Sequence, residues 1–198
     1  PFKGGYTIHS NSNFYNFIPF VIGGSLRVSP GELRIIPALT GGSFGSKVFN
    51  HKIIIMPSGL ARLAGVPVKY IEDRLEHFTN SDSHGSERLY DAELAVAEDG
   101  TFTSLRFTVL DDYGAYLQFG VGTHGNAMAQ VTGPYKIESF GMRVIAVLTN
   151  KTQQGPYRGF GSEVTNWVME RMVDAAAEEL DRDPVELREQ NLIQPDAF

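Results

Sequence analysis

Asp99-Gly100 lies between two segments, Leu89 to Ala97 and Phe102 to Leu110, in which apolar and polar residues alternate. An Asp-Gly pair between alternating segments is the strongest short-range signal for a β-hairpin, and no other feature constrains the fold of this chain as much. Leu105, Phe107 and Val109 fall on one face of the second strand. Glu163 to Leu180 has the clearest helical pattern, with Val164, Trp167, Val168, Met172 and Ala175 on one stripe and Ser162 as a candidate N-cap. Asp183-Pro184-Val185-Glu186 then opens a second helix, with an N-cap, a proline at the first helical position and a glutamate three residues on.

Elsewhere the pattern is less regular. Leu33 to Ile36 reads as a short strand feeding the glycine loop 41–45, after which Val48 to Met56 looks helical and Pro57 should kink or split the helix. Val66 to Ile71 is a strand candidate, and the polar stretch 80–86 reads as a loop. Gly114 to Gly133 is glycine-rich and reads as irregular, whereas Met142 to Leu148 reads as a strand buried on both faces. Strands and helices mix without βαβ alternation. The expectation is therefore α+β, a mixed sheet with packed helices in two layers, arranged as one large domain or two small lobes.

Composition excludes several functions. With 198 residues, 42% of them hydrophobic, the chain can bury a substantial core. A net charge of -6 without a basic cluster lacks the footprint of a nucleic-acid binder. There is no cysteine, which excludes disulfides, thiolate zinc sites and any iron–sulfur cluster housed in this chain. No apolar run approaches the roughly 20 residues that span a bilayer, so the expectation is a soluble protein with no membrane partner, placed in the cytoplasm. The opening Pro1-Phe2-Lys3 has no initiator methionine and reads as a processed or truncated product.

Three motifs suggest chemistry on their own. Gly120-Val121-Gly122-Thr123-His124-Gly125 matches the dinucleotide pattern GxGxxG, but lies only a few residues before the breaker Gly133-Pro134, where a strand–turn–helix is not expected. Gly41-Gly42-Ser43-Phe44-Gly45 matches the GxSxG elbow of serine hydrolases, with a strand before and a helix after. Asp111 or Asp112 with His124 would complete the required order, at close spacing, so a hydrolase with Ser43 as nucleophile stands as a rival reading. The five histidines are scattered, with no pair spaced to place two ligands on one face, so a metal held by protein side chains is not expected. His51 and His77 read as structural, and His84 and His124 are left open.

The third motif is a pair of loops. Gly41 to Lys47 sets small residues around Phe44, so that backbone N–H groups can approach an anion or a metal oxo group. Gly155-Pro156-Tyr157-Arg158-Gly159-Phe160-Gly161 places Arg158 just before the strongest helix, a setting suited to negative charge. These loops, about 110 residues apart, resemble the xanthine dehydrogenase, aldehyde oxidase and aerobic carbon monoxide dehydrogenase family, the molybdenum hydroxylases. The ordered motifs around them do too: Gly65-Val66-Pro67-Val68-Lys69 with Glu72-Asp73-Arg74, Asp112-Tyr113-Gly114-Ala115-Tyr116, Gly133-Pro134-Tyr135, Thr149-Asn150-Lys151 and Asp183-Pro184-Val185-Glu186-Leu187-Arg188 to Asn191. The resemblance covers nearly the whole chain.

The resemblance implies that residues 1–198 form part of the molybdenum-cofactor-binding region of a large subunit, as a fragment or a split subunit. It implies molybdopterin carrying molybdenum, with the cytosine dinucleotide form preferred and the simpler form left open. Phe44 and Gly45 inherit a place at the apical side of the metal. Gly42, Ser43, Tyr157 and Arg158 inherit cofactor contacts, and Gly159 and Phe160 the substrate channel. Asn13 stands where many members carry a glutamine near the metal. The family's catalytic glutamate lies downstream of the matching region, so the catalytic residue is not in this chain and the isolated chain should be inactive. Iron–sulfur clusters and FAD are implied only in partner chains, beside the remainder of the large subunit, and the substrate is a small molecule. Gly159 replaces the copper-binding cysteine of carbon monoxide oxidisers, and Val48 replaces the glutamate of purine oxidisers. The implied reaction is hydroxylation of an aldehyde or N-heteroaromatic carbon. A relative that no longer binds cofactor is the remaining alternative.

Overall fold

The computed structural model describes residues 4–48, 51–80, 85, 87–117 and 120–195. Two compact units emerge: residues 1–85 with 152–158, and residues 86–151 with 159–198. In the first, β1 (Tyr6–Ser10) pairs in parallel with β2 (Leu33–Pro37), joined through α1 (Ile18–Leu26) and a short 3-10 turn at Pro30–Glu32. Ile18, Ile22 and Leu26 recur every four residues and are buried, closing a small core with Ile8, Leu33 and Ile54.

Ile54 comes from α2 (Lys52–Ala64), which differs from expectation at both ends. The helix starts four residues later than Val48 and runs through Pro57. Proline removes one N–H, but Ile54 and Ser58 remain buried around it and Ser58 Oγ donates to the Ile54 carbonyl at 2.7 Å. The stop is Gly65, left-handed at φ 69°, whose N–H bonds the Ala61 carbonyl. The strand expected over 66–71 is not formed. Pro67 offers no donor there, no ladder partner exists among the described residues, and Val66 and Ile71 are exposed. α3 (Arg74–Asn80) follows, entered through a reciprocal cap in which Glu76 N–H donates to Asp73 and Asp73 N–H to Glu76. Most of the expected loop 80–86, His84 included, lies outside the described residues.

The second unit contains the expected hairpin. β3 (Arg88–Val96) pairs antiparallel with β4 (Phe102–Gly114), and β5 (Ser139–Leu148) lies parallel to β4 on its other side, giving a mixed sheet. Leu105, Phe107 and Val109 are buried under α5 (Ser162–Glu179) and α6 (Pro184–Asn191), so the architecture is α+β with helices layered on a sheet. At the turn Gly100 takes φ 90°, and Asn191 secures it by donating to the Gly100 carbonyl and accepting from Phe102 N–H at 2.8 Å. Asp183 caps α6, accepting from Val185 and Glu186 N–H.

Four expectations fail in this unit. Gly114 to Gly133 is not irregular: α4 (Gly120–Gln130) runs through it, held by burial of Thr123, His124 and Ala127 and by Val131 just beyond, despite glycines that each cost about 0.5–1 kcal/mol. The GxGxxG residues therefore sit inside a helix, not at a strand–helix turn. β5 is not buried on both faces but is an edge strand, with Ile145, Val147 and Leu148 exposed. The buried stripe of α5 is Thr165, Val168, Met169, Val173 and Ala177, sharing only Val168 with the expected one, and Trp167 faces outward. Ser162 is not the N-cap: Gly161 is, and the Ser162 hydroxyl donates to the Gly159 carbonyl at 2.7 Å.

Candidate functional site

The first loop is closed by its own residues. Lys47 Nζ donates to the Thr40 carbonyl, Ser46 N–H to the Ser43 carbonyl and Val48 N–H to the Gly45 carbonyl. Phe44 takes the left-handed φ of 53°, an unusual state for a non-glycine residue, flanked by Gly45 at 108°. The ring of Phe44 folds over Gly42, where a Cβ would come within 2.9 Å of it, yet Phe44 remains 63% exposed. Among the described residues no hydrogen bond uses the N–H of Gly42, Ser43, Phe44 or Gly45. Four consecutive unspent donors in a strained turn fit an anionic group. The loop borders an open cleft of about 1520 Å³ also lined by His9, Arg62 and Lys69.

Asn13 and the 155–158 end of the second loop meet the first loop in the same unit. Asn13 N–H donates to the Lys47 carbonyl at 3.0 Å, and the neighbouring Ser12 hydroxyl to the same oxygen. A Cβ on Gly45 would lie 2.3 Å from the Pro156 carbonyl oxygen, so the two backbones are in direct contact. Gln153 to Pro156 are buried, whereas Tyr157 and Arg158 emerge. Arg158 has no ion-pair partner among the described residues, which leaves its charge available to a ligand.

Gly159 and Phe160 belong to the second unit. Phe160 is left-handed at φ 50° between Gly159 at 102° and Gly161 at 98°. Glu163 changes the electrostatic reading of this turn, because its carboxylate accepts the Gly161 N–H at 2.8 Å and fills the α5 N-terminus. Positive charge at this loop therefore resides in Arg158. Asn126, which the sequence reading missed because its segment looked irregular, donates to the Gly159 and Phe160 carbonyls at 3.2 and 3.1 Å.

A serine hydrolase is not supported. Ser43 Oγ accepts from Lys47 N–H at 3.3 Å, as a turn residue does, and no histidine bonds it among the described residues. Asp111 and His124 do pair, at 2.6 Å, but His124 is 4% exposed and the pair is locked against Arg88 Nε, 3.0 Å from Asp111.

The unspent N–H groups of the first loop and the unpaired charge of Arg158 have the chemistry to take up an anionic group. The chain belongs to the molybdopterin cofactor-binding domain family, whose model matches residues 1–192. It is 32% identical, over 87% of its length, to 6-hydroxypseudooxynicotine dehydrogenase complex subunit gamma of Paenarthrobacter nicotinovorans, and 30% identical, over 100%, to the carbon monoxide dehydrogenase large chain of Hydrogenophaga pseudoflava. Quinoline 2-oxidoreductase from Pseudomonas putida 86 superposes with a TM-score of 0.90 at 28% identity, covering 99% of this chain and 25% of that one. The chain spans 22% and 25% of the two curated relatives. These relatives are oxidoreductases by name, and they place the chain among the molybdopterin-binding domains of the molybdenum hydroxylase family.

Proposed function

We propose that residues 1–198 serve as part of the cofactor-binding region of a molybdenum hydroxylase large subunit that hydroxylates an aldehyde or N-heteroaromatic carbon with water. The observation that carries this reading is the row of unspent N–H groups from Gly42 to Gly45, pressed through Gly45 against the Pro156 backbone. When bound, molybdenum on molybdopterin, preferably as the cytosine dinucleotide, supplies the two-electron oxidising chemistry. Gly42 to Gly45 donate to the anionic ligand set, Arg158 neutralises its charge, and Asn13 and Tyr157 border it. The exposed ring of Phe44 closes one side and excludes water there.

Gly159 and Phe160 shape the substrate's approach, and stacking on Phe160 orients a flat ring. Gly159 offers no thiolate for copper and Val48 no carboxylate for a purine, so neither carbon monoxide nor a purine is favoured. The catalytic base comes from the remainder of the large subunit. Electrons leave through iron–sulfur and FAD partner subunits in a cytoplasmic assembly. The test is molybdenum and pterin analysis of the purified assembly, with Arg158→Ala lowering molybdenum content several-fold because a charge-assisted contact is worth about 1.5–3 kcal/mol. An assembly that carries neither molybdenum nor pterin when isolated from its source would favour a relative that has lost cofactor binding.

A further inference from the structure

Helix α4 grips the Phe160 turn. Asn126 Nδ2 donates at once to the Gly159 and Phe160 carbonyls, at 3.2 and 3.1 Å. These carbonyls belong to the two peptide units on either side of Phe160, so the bonds restrain its φ and its ψ together. The orientation of the Asn126 amide is determined by its neighbours. Gln130 Nε2 donates to Asn126 Oδ1 at 3.2 Å, and the reverse orientation would set oxygen against two carbonyl oxygens. One turn earlier on α4, the Thr123 carbonyl lies where a Cβ on Gly161 would come within 2.3 Å.

The helix is itself anchored from behind. Arg88 Nη2 donates to Thr123 Oγ1 at 2.6 Å, while the Asp111 carboxylate on β4 lies 2.6 Å from His124 Nε2 and forms an ion pair with Arg88 Nε at 3.0 Å. Phe160 needs such a support, because a left-handed φ of 50° at an aromatic residue persists only where its surroundings impose it.

We infer that Asn126 is a positioning residue: it fixes the direction of the Phe160 ring and thereby sets the preference for flat substrates. This rests on the reading of Phe160 as a residue that faces the substrate. The Asn126→Ala, Asn126→Asp and Phe160→Ala variants, and the Asn126→Ala/Phe160→Ala pair, are made in the complete molybdenum-loaded assembly and normalised to bound metal. The kcat/KM for quinoline divided by that for acetaldehyde is expected to fall about three- to tenfold in Asn126→Ala, the loss expected of one or two hydrogen bonds. It should fall further in Asn126→Asp, which faces the two carbonyls with an anion. The double variant should show no greater loss of the ratio than Phe160→Ala alone, because the amide acts through the ring. Amide exchange, followed over residues 155–166, should quicken in both Asn126 variants whatever the substrate range. An unchanged ratio in Asn126→Ala beside a lowered ratio in Phe160→Ala overturns the inference, as does unchanged exchange. A ratio that Phe160→Ala itself does not alter, or an assembly that oxidises neither compound, overturns the substrate-facing reading of Phe160 instead, and exchange alone then decides whether Asn126 holds the turn.

Discussion

The α-carbon of Gly45 faces the carbonyl of Pro156 so closely that a methyl group added there would lie 2.3 Å from its oxygen. Gly45→Ala should therefore force the two loops of the first unit apart, and its φ of 108° adds backbone strain of about 1–3 kcal/mol. The expected outcome is a several-fold fall in molybdenum per assembly, with a lowered Tm. Elemental analysis beside a thermal melt checks it, and unchanged molybdenum content would show that this contact does not bear on cofactor retention.

The Ser43 hydroxyl contributes one bond to its turn, accepted from Lys47 N–H at 3.3 Å. Ser43→Ala should cost no more than about 0.5–1.5 kcal/mol of stability and leave turnover within a few-fold. A fluorophosphonate probe should not label the protein at this position. Stoichiometric labelling, read by mass spectrometry, would restore a nucleophilic serine.

Asp112 links the end of β4 to the segment after β5. Its carboxylate accepts from the Thr149 hydroxyl at 2.7 Å and the Gly114 N–H at 2.9 Å, with Lys151 2.9 Å away. These bonds, Thr149 first, lower its pKa from 3.8 to about 2. A depressed folded-state pKa stabilises the fold above the unfolded value, and that contribution is lost as pH falls from about 4 to about 2. Thr149→Val should raise the Asp112 pKa and move the midpoint of acid unfolding to higher pH, as followed by circular dichroism. An acid midpoint that does not move would show that this joint is not part of the acid transition.

Where sequence and structure agree, local chemistry and tertiary packing point the same way. The Asp99-Gly100 turn, the Asp183 cap and the alternation of Leu105, Phe107 and Val109 each state their own geometry, and Asn191 only joins pieces already specified. α4 was not legible, because Gly120, Gly122 and Gly125 weaken a helix that burial of Thr123, His124 and Ala127 then imposes. The same blindness hid Asn126. The buried face of α5 was misread because Thr165 and Ala177 look neutral in sequence, while Trp167 drew the stripe toward itself. In the two loops, motif order carried the family resemblance, but the Gly45–Pro156 contact and the filling of the α5 N-terminus by Glu163 arise only in three dimensions.

The buried cluster behind α4 gives a stability prediction with an internal control. Asp111 is fully buried, Arg88 is 1% exposed, and Asp111 Oδ2 also lies 2.6 Å from His124 Nε2. Removing one partner of a buried pair leaves the other charge without compensation, so Asp111→Ala should cost about 3–5 kcal/mol. Replacing both, as Arg88→Met with Asp111→Leu, should cost less than Asp111→Ala alone, because neither charge then needs solvation. The control is the exposed pair of Arg106 with Glu93, on the same hairpin, 2.5 Å apart with both side chains more than half exposed. Arg106→Ala should hardly move the urea midpoint, because water screens that pair. Urea titration of the four proteins gives the comparison. Equal shifts for the Asp111 and Arg106 variants would mean that the buried cluster is better solvated than its geometry indicates, and that α4 draws its anchorage from apolar packing around Ala127 and Val131.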